Sequence, residues 1–212
     1  MVRSKRINLI IYIAVILIVL MESCTVKSLH PIYDENSIVF KQELIGTWKD
    51  HDGEIYKVEA SLKNGEKHID PRNLKLNGYL LKIIENENDS SWIKMRLHIV
   101  EIKETVFWNL FPEKNYTNGV SGVLTENLLP VHSFGKVEIE NNELKIHSFK
   151  AKWLSELFEK NQIRIPHENV ATPDGSIIVL TASTKELQKF IFKYQNETKA
   201  FEDPLVLHSI TD

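Results

Sequence analysis

Turn signals that recur at short intervals constrain the fold of this chain more than any other feature of its sequence. Most are about 11 to 14 residues apart, which leaves room for one short β-strand between successive turns. They are Asp52-Gly53, Asn64-Gly65, Asn77-Gly78, the polar run Glu85–Ser91, Asn118-Gly119 and Asn141-Asn142. Asn-Gly and Asp-Gly pairs favour two-residue hairpin turns, because such turns need positive φ angles. The spacing therefore predicts a ladder of β-hairpins.

The segments between these turns alternate apolar and polar residues, as half-buried strands do. Residues 93–99 show the alternation most clearly, and it recurs on both sides of Asn141-Asn142. We expect about seven strands between Gly46 and Phe149, and an antiparallel meander of that size tends to close because closure removes its unpaired edges. The sequence thus predicts a mainly β domain that forms a barrel or a strongly curved sheet.

The last third of the chain changes to helical periodicity, so the expected fold class is α+β. Residues 151–162 predict an amphipathic helix with one apolar face, formed by Trp153, Leu154, Leu157 and Phe158. After a turn at residues 172–175, residues 176–182 predict a buried strand. Ser183 and Glu186 have the spacing of a capping box, and the second amphipathic helix that follows presents Leu187, Phe190, Ile191 and Tyr194 on its inner face.

The segment Val106–Phe111 is apolar on both strand faces, which is typical of a barrel wall covered by a helix. Barrels of about eight strands either fill their interior with side chains or enclose one small ligand, and the sequence leaves both alternatives open. The aromatic side chains that could serve either purpose are Trp48, Trp92, Trp108, Trp153, Phe107, Phe111 and Phe149.

The first two dozen residues have the features of an export signal. A basic start is followed by an apolar run from Ile7 to Met21 and then by Ser23 and Cys24. The run would reach about 22 Å as a helix at ~1.5 Å per residue, which is short for a bilayer core of ~30 Å, so it predicts a cleaved signal peptide. The alternative is an uncleaved N-terminal membrane helix. Cys24 is the single cysteine, so no internal disulfide can form.

Residues 20–24 resemble the type II signal of bacterial lipoproteins. The resemblance implies cleavage between Ser23 and Cys24 and attachment of a diacylglyceryl group to the Cys24 thiol, which would tether the protein to a membrane. We therefore expect a signal peptide over residues 1–23, a lipidated tether over 24–43 and a single β-rich domain over 44–212. Residues 25–28 lack the acidic run that resembles a surface-export signal, so the expected location is periplasm-facing in the bacterial envelope.

Two further resemblances concern the domain itself. Gly46 and Trp48 resemble the Gly-x-Trp signature of lipocalin-type barrels, which implies a tryptophan that plugs the closed end of a barrel; a structural tryptophan on a first strand is the alternative. Segments 28–33, 39–40, 46–48, 129–132 and 180–184 resemble a little-characterised group of Bacteroidota-type envelope lipoproteins. That resemblance implies a location and a fold, and it implies no activity or site.

Several kinds of site lack support in the sequence. The eight histidines do not have the spacing of a zinc site, and the chain contains no nucleophile elbow, phosphate loop or dinucleotide fingerprint. A net charge of −3 without a basic stripe argues against nucleic acid. Weaker candidates are His132 with His147 as hairpin neighbours, the pair His167-Glu168, and the acidic turns Asp50, Asp52, Glu54 and Glu85, Glu87, Asp89, for which solvated surface is the simpler interpretation.

The sequence leaves three classes of function open. The first is a lipid-anchored protein that binds an apolar or lipid-like molecule in its barrel. The second is a structural or assembly protein of the envelope that acts through protein partners. An enzyme ranks third because no catalytic motif is found, so we expect neither a cofactor nor a metal.

Overall fold

The computed structural model describes residues 25–61, 78–84, 92–118, 129–172 and 175–210. The strands of this described part are β1 (Lys27–Ser28), β2 (Ile38–Val39), β3 (Gly46–Lys49), β4 (Ile55–Ala60), β5 (Tyr79–Ile84), β6 (Trp92–Ile102), β7 (Thr105–Asn118), β8 (His132–Glu140), β9 (Glu143–Ser148), β10 (His167–Thr172), β11 (Gly175–Leu180) and β12 (Leu205–Ser209). Its α-helices are α1 (Ala151–Glu159) and α2 (Thr184–Tyr194).

The expected closed barrel is present. Each strand from β3 to β9 pairs antiparallel with the next, and β12 pairs antiparallel with both β3 and β9. Of the described strands, eight therefore form a closed antiparallel barrel, and the prediction of a barrel with two C-terminal helices is confirmed. The predicted signal peptide, Ser23 and Cys24 lie outside the described residues, as do residues 62–77, 85–91 and 119–128 with the turns predicted there.

The sheet continues beyond the barrel because β8 has two partners on one edge. Its first residues pair with β1, whereas Gly135 and the residues after it pair with β9. β1 pairs in parallel with β11, which pairs with β10. The helices and this extension enclose a second apolar core on the outer side of the barrel wall.

Residues 25–43 pack against the barrel and the helices. Besides β1, this segment supplies β2, which pairs with β6. The Thr184 hydroxyl donates to the Pro31 carbonyl at 2.8 Å, and the Gln188 amide donates to the Ile32 carbonyl at 3.1 Å. The part of the predicted tether that the structure describes is thus held by α2 and by the sheet.

The strand β7 belongs to both cores, as its apolar faces predict. Trp108 points into the barrel, while Phe107 on the other face lies in the outer core. Successive side chains of a strand alternate between its two faces. A wall that is covered on both sides explains why both faces of this strand are apolar.

The C-terminal elements follow the sequence pattern with two differences. The Glu186 carboxylate accepts hydrogen bonds from the backbone N–H and hydroxyl of Ser183, so the predicted capping box is present. The first difference is that α1 ends at Glu159, before the end of the helix predicted over residues 151–162. The prediction that residues 176–182 are buried is wrong for the first half, where Ile177 is 36% exposed. The reason is that β1 has only two residues and pairs with Val179 and Leu180 alone. In the described parts of the chain, no helix has the length and apolar character of a membrane span.

Candidate functional site: the barrel cavity

The barrel interior contains a cavity of about 270 Å³. Alternate residues of the barrel strands line it, because every second side chain of a strand points inward. Most of the lining side chains are aliphatic: Leu44, Val58, Leu81, Ile83, Leu97, Ile99, Leu110, Val137, Leu144, Ile146, Leu205 and Leu207. The remaining ones are Trp48, Tyr56, Trp108 and Ser148, so none of the lining residues in the described part of the chain carries a charge at neutral pH.

The size and the lining of the cavity suit a small apolar molecule. Small-molecule sites commonly enclose about 300–1,000 Å³, and an apolar cavity of about 150 Å³ already holds benzene. A cavity of about 270 Å³ therefore has room for a body of roughly two fused rings. The side chains of the described residues thus leave part of the barrel interior open.

The segment that precedes β3 packs against the barrel. Phe40 stacks on Tyr79 with ring centroids 5.0 Å apart, and the Tyr79 hydroxyl accepts a hydrogen bond from the backbone N–H of Lys41. The indole Nε1 of Trp48 donates to the Leu44 carbonyl at 3.0 Å. Trp48 thus lies in the cavity wall, close to this segment.

The tyrosine of the lining adds no charge to the cavity. The Tyr56 hydroxyl donates a hydrogen bond to the Glu54 carboxylate. Burial, together with Glu54, raises the pKa of Tyr56 well above its ordinary value, so the phenol stays neutral at physiological pH. Because this hydroxyl is already engaged, Tyr56 presents its ring to a ligand.

The aromatic residues singled out in the sequence divide between several places. Trp48 and Trp108 line the cavity, whereas Phe107, Phe149 and Trp153 pack in or against the outer core. Trp92 lies under the ammonium groups of Lys82 and Lys94, and the Phe111 ring lies 4.5 Å from that of His132. The period of the apolar residues did not show which aromatic side chains line the cavity and which pack in the outer core, because β7 is apolar on both faces.

The structure separates the two histidines that the sequence offered as neighbours, and Glu85, Glu87 and Asp89 lie outside the described residues. His147 pairs with Lys136 and His132 with Ser28, so the two histidines are not neighbours across the hairpin. The His167 ring stacks on Phe158 at 3.7 Å. Within the described residues, no group of three or more His, Cys, Asp or Glu side chains is placed to hold a metal ion.

A buried polar cluster on the outer side of the wall was not predicted. Asn109 on β7 is fully buried, and its amide nitrogen lies 3.0 Å from Nδ1 of His132. The Asn109 carbonyl oxygen accepts from the backbone N–H of Ile32 at 3.2 Å. Tyr33 completes the cluster, with its ring 4.2 Å from that of His98. The sequence signal was a single asparagine within the apolar segment Val106–Phe111.

The chain matches no protein-family model, no curated protein and no solved structure. The interpretation of the cavity therefore depends on its own geometry and chemistry.

Proposed function

We propose that this protein binds one small apolar molecule inside its barrel. The observation that carries the proposal is the apolar cavity of about 270 Å³ within a closed barrel. Transfer of apolar surface from water into such a cavity is favourable by roughly 25 cal/mol per Å². Because none of the described side chains that line the cavity is charged, a ligand that carries a charge would lose its hydration without gaining an ion pair from them.

A cavity-filling variant tests this proposal. Replacing Val58 with phenylalanine puts a larger side chain into the cavity, and we expect the affinity for 2-ethylnaphthalene to fall at least about tenfold, because the ring competes for the same volume. The measurement is equilibrium dialysis of the full chain held in amphipol. Circular dichroism shows whether the variant remains folded.

In the matched control, a valine outside the barrel is replaced with phenylalanine. Val170 is exposed on β10, so Val170→Phe is expected to keep the wild-type affinity. Equal loss in both variants would show that the probe does not occupy the barrel. Failure of the wild-type protein to bind the probe, together with native mass spectra free of any apolar adduct, would refute the proposal.

We further infer that the protein is attached to the envelope membrane through an acylated Cys24. The inference is supported by residues 20–24 and by the apolar run before them. Thr25 pairs with Lys150, and the backbone N–H of the buried Val26 donates to the Phe149 carbonyl at 3.2 Å. Since the fold holds the chain directly after Cys24, an anchor at that residue would keep the domain close to the membrane surface.

Replacing Cys24 with alanine is expected to abolish acyl labelling and to leave an unprocessed chain, because the thiol that accepts the lipid is gone. The measurement is incorporation of a clickable fatty acid, combined with the mass of the purified protein. The neighbouring variant Thr25→Ala should be labelled and cleaved like the wild type. Normal labelling of Cys24→Ala, or an unlabelled and uncleaved wild-type chain, would favour the uncleaved membrane helix instead.

A further inference from the structure

A second depression lies on the surface of the protein, outside the barrel. It is a groove of about 240 Å³ between α2 and the segment that joins α1 to β10. The wall formed by α2 carries Lys189 and Lys193, and the facing segment carries Arg164. In the described part of the chain, the lining of this groove shares no residue with the lining of the barrel cavity. The groove is therefore a separate candidate for a binding site.

The rim of the groove is positively charged and accessible. Arg164, Lys189 and Lys193 are exposed residues, and none of them forms an ion pair with another described residue. Lys189 and Lys193 lie about one helical turn apart, so they share a face of α2. Among the described lining residues the one acid is Glu186, whose carboxylate already accepts hydrogen bonds from the backbone N–H and the hydroxyl of Ser183 at 2.9 and 2.7 Å. The groove thus has an excess of positive charge, although the whole chain has a net charge of −3.

The bottom of the groove is apolar and belongs to the outer core. Ile165 and Phe190 line it and are only 8% and 4% exposed. The Tyr194 ring lies beside them, with its centroid 5.4 Å from that of Phe190 and 4.8 Å from the Lys193 ammonium. A ligand that suits this groove therefore combines an anionic group for the rim with an apolar part for the floor.

Hydrogen bonds fix the backbone on both sides of the groove. In the segment between α1 and β10, the backbone N–H of Gln162 donates to the Leu157 carbonyl at 2.8 Å, and that of Thr181 donates to the Pro166 carbonyl at 2.9 Å. On the other side, α2 is held by its capping box and by its hydrogen bonds to the carbonyls of residues 31 and 32. Both walls are in place without a ligand, so binding does not have to order them.

We propose that the groove binds a phosphate ester, with its phosphate at Arg164, Lys189 and Lys193 and its organic substituent over the apolar floor. A guanidinium donates two parallel hydrogen bonds to phosphate, and the lysines add compact positive charges. A phosphate monoester carries a charge of about −1.5 to −2 at neutral pH, which suits a lining with three cations and one carboxylate. Such phosphate groups occur in soluble esters and in phospholipid headgroups. The proposal does not depend on what the barrel binds.

Charge-neutralising variants test the contacts to the phosphate. Isothermal titration calorimetry of the full chain in a non-ionic amphipol should show that phenyl phosphate binds and that Arg164→Gln weakens its affinity about tenfold, because charge-assisted hydrogen bonds are lost. Lys189→Gln combined with Lys193→Gln should weaken it at least as much. The control Lys185→Gln removes an exposed charge of the same helix outside the groove lining and should keep the wild-type affinity. Circular dichroism checks that the variants are folded.

Matched ligands identify the group that the groove recognises and its source. Phenyl phosphate should bind more tightly than inorganic phosphate, which has no substituent for the floor, and more tightly than benzoate, whose carboxylate carries a single charge. Dihexanoylphosphatidylglycerol is a soluble phospholipid that supplies the headgroup. If it binds more tightly than phenyl phosphate, the groove takes a membrane lipid; if it binds more weakly, the groove takes a soluble ester.

Three results would overturn the proposal. The first is a wild-type protein that does not bind phenyl phosphate, and the second is equal weakening by Arg164→Gln and Lys185→Gln. The third is an affinity for inorganic phosphate or benzoate that equals the affinity for phenyl phosphate. None of these results bears on the barrel, because 2-ethylnaphthalene tests that site separately.

Discussion

Replacing Phe149 with alanine is expected to lower the free energy of unfolding by about 3–5 kcal/mol. Phe149 is fully buried, and its ring contacts the rings of Phe134, Trp153, Phe190 and Phe201 at centroid distances of 4.4–6.5 Å. These partners come from the barrel, from both helices and from the chain before β12. Truncation opens a cavity at the place where these elements meet, and urea unfolding followed by circular dichroism measures the loss.

The matched control is a phenylalanine on the surface. Phe192 on α2 is 37% exposed and its ring lies 4.2 Å from the Lys103 ammonium, so Phe192→Ala is expected to lower the free energy of unfolding by about 1 kcal/mol. The difference between the two variants isolates the contribution of the outer core from the loss of an aromatic ring. Similar losses in both would mean that the aromatic contacts of Phe149 do not hold the helices to the barrel.

The parts of the fold that could be predicted are those that local chemistry determines. Asn141 and Asn142 have φ angles of 46° and 63°, and asparagine is among the few residue types that adopt such angles readily. The turn between β8 and β9 could therefore be predicted from its residue types. The same holds for α2, whose start is marked by Ser183 and Glu186 and whose buried face follows the helical period.

The parts that could not be predicted depend on contacts between distant segments. β12 closes the barrel by pairing with β3, and its residues Leu205–Ser209 carry no turn signal or long alternation that would mark them as a barrel strand. Lys103 and Glu104 have φ angles of 46° and 72°, although neither residue type favours them. Their turn is imposed by the long pairing of β6 with β7.

The candidate site shows the same division. Trp48 could be placed on the first barrel strand from the sequence, because it follows Gly46 at the start of the strand ladder. The place of Trp108 in the cavity lining could not be predicted, because it depends on the register that sets this residue opposite Gly135. Register in a barrel is fixed by the whole set of strands, so the sequence alone does not show which residues a glycine in β8 contacts.

The polar cluster on the outer wall should make stability fall in mild acid. The Asn109 carbonyl accepts from Ile32, so its amide nitrogen is the donor toward His132, and Nδ1 of His132 must accept. Burial, together with repulsion from nearby His98 and His30, lowers the pKa of His132 to about 4. A proton on Nδ1 would remove the acceptor and place a charge in a buried site.

The direction of the pH dependence follows from the two pKa values of His132. Above its ordinary pKa of 6.5 the imidazole is neutral in both states, so the native state has its full stability. Below that pH the unfolded chain binds a proton that the folded chain does not, and stability falls until about pH 4. For one proton the loss is about 3 kcal/mol over this window. Urea unfolding at several pH values between 7 and 4 measures it.

A variant separates His132 from the carboxyl groups that also titrate in acid. In His132→Asn, an amide oxygen replaces the acceptor Nδ1 and cannot take up a proton in this range. We expect the slope of stability against pH between 6.5 and 4 to fall by about 1.4 kcal/mol per pH unit, which is the linkage of one proton. An NMR titration of the wild-type imidazole checks the origin directly. Identical slopes in wild type and variant, or a His132 resonance that titrates near 6.5, would show that the cluster does not hold this histidine neutral.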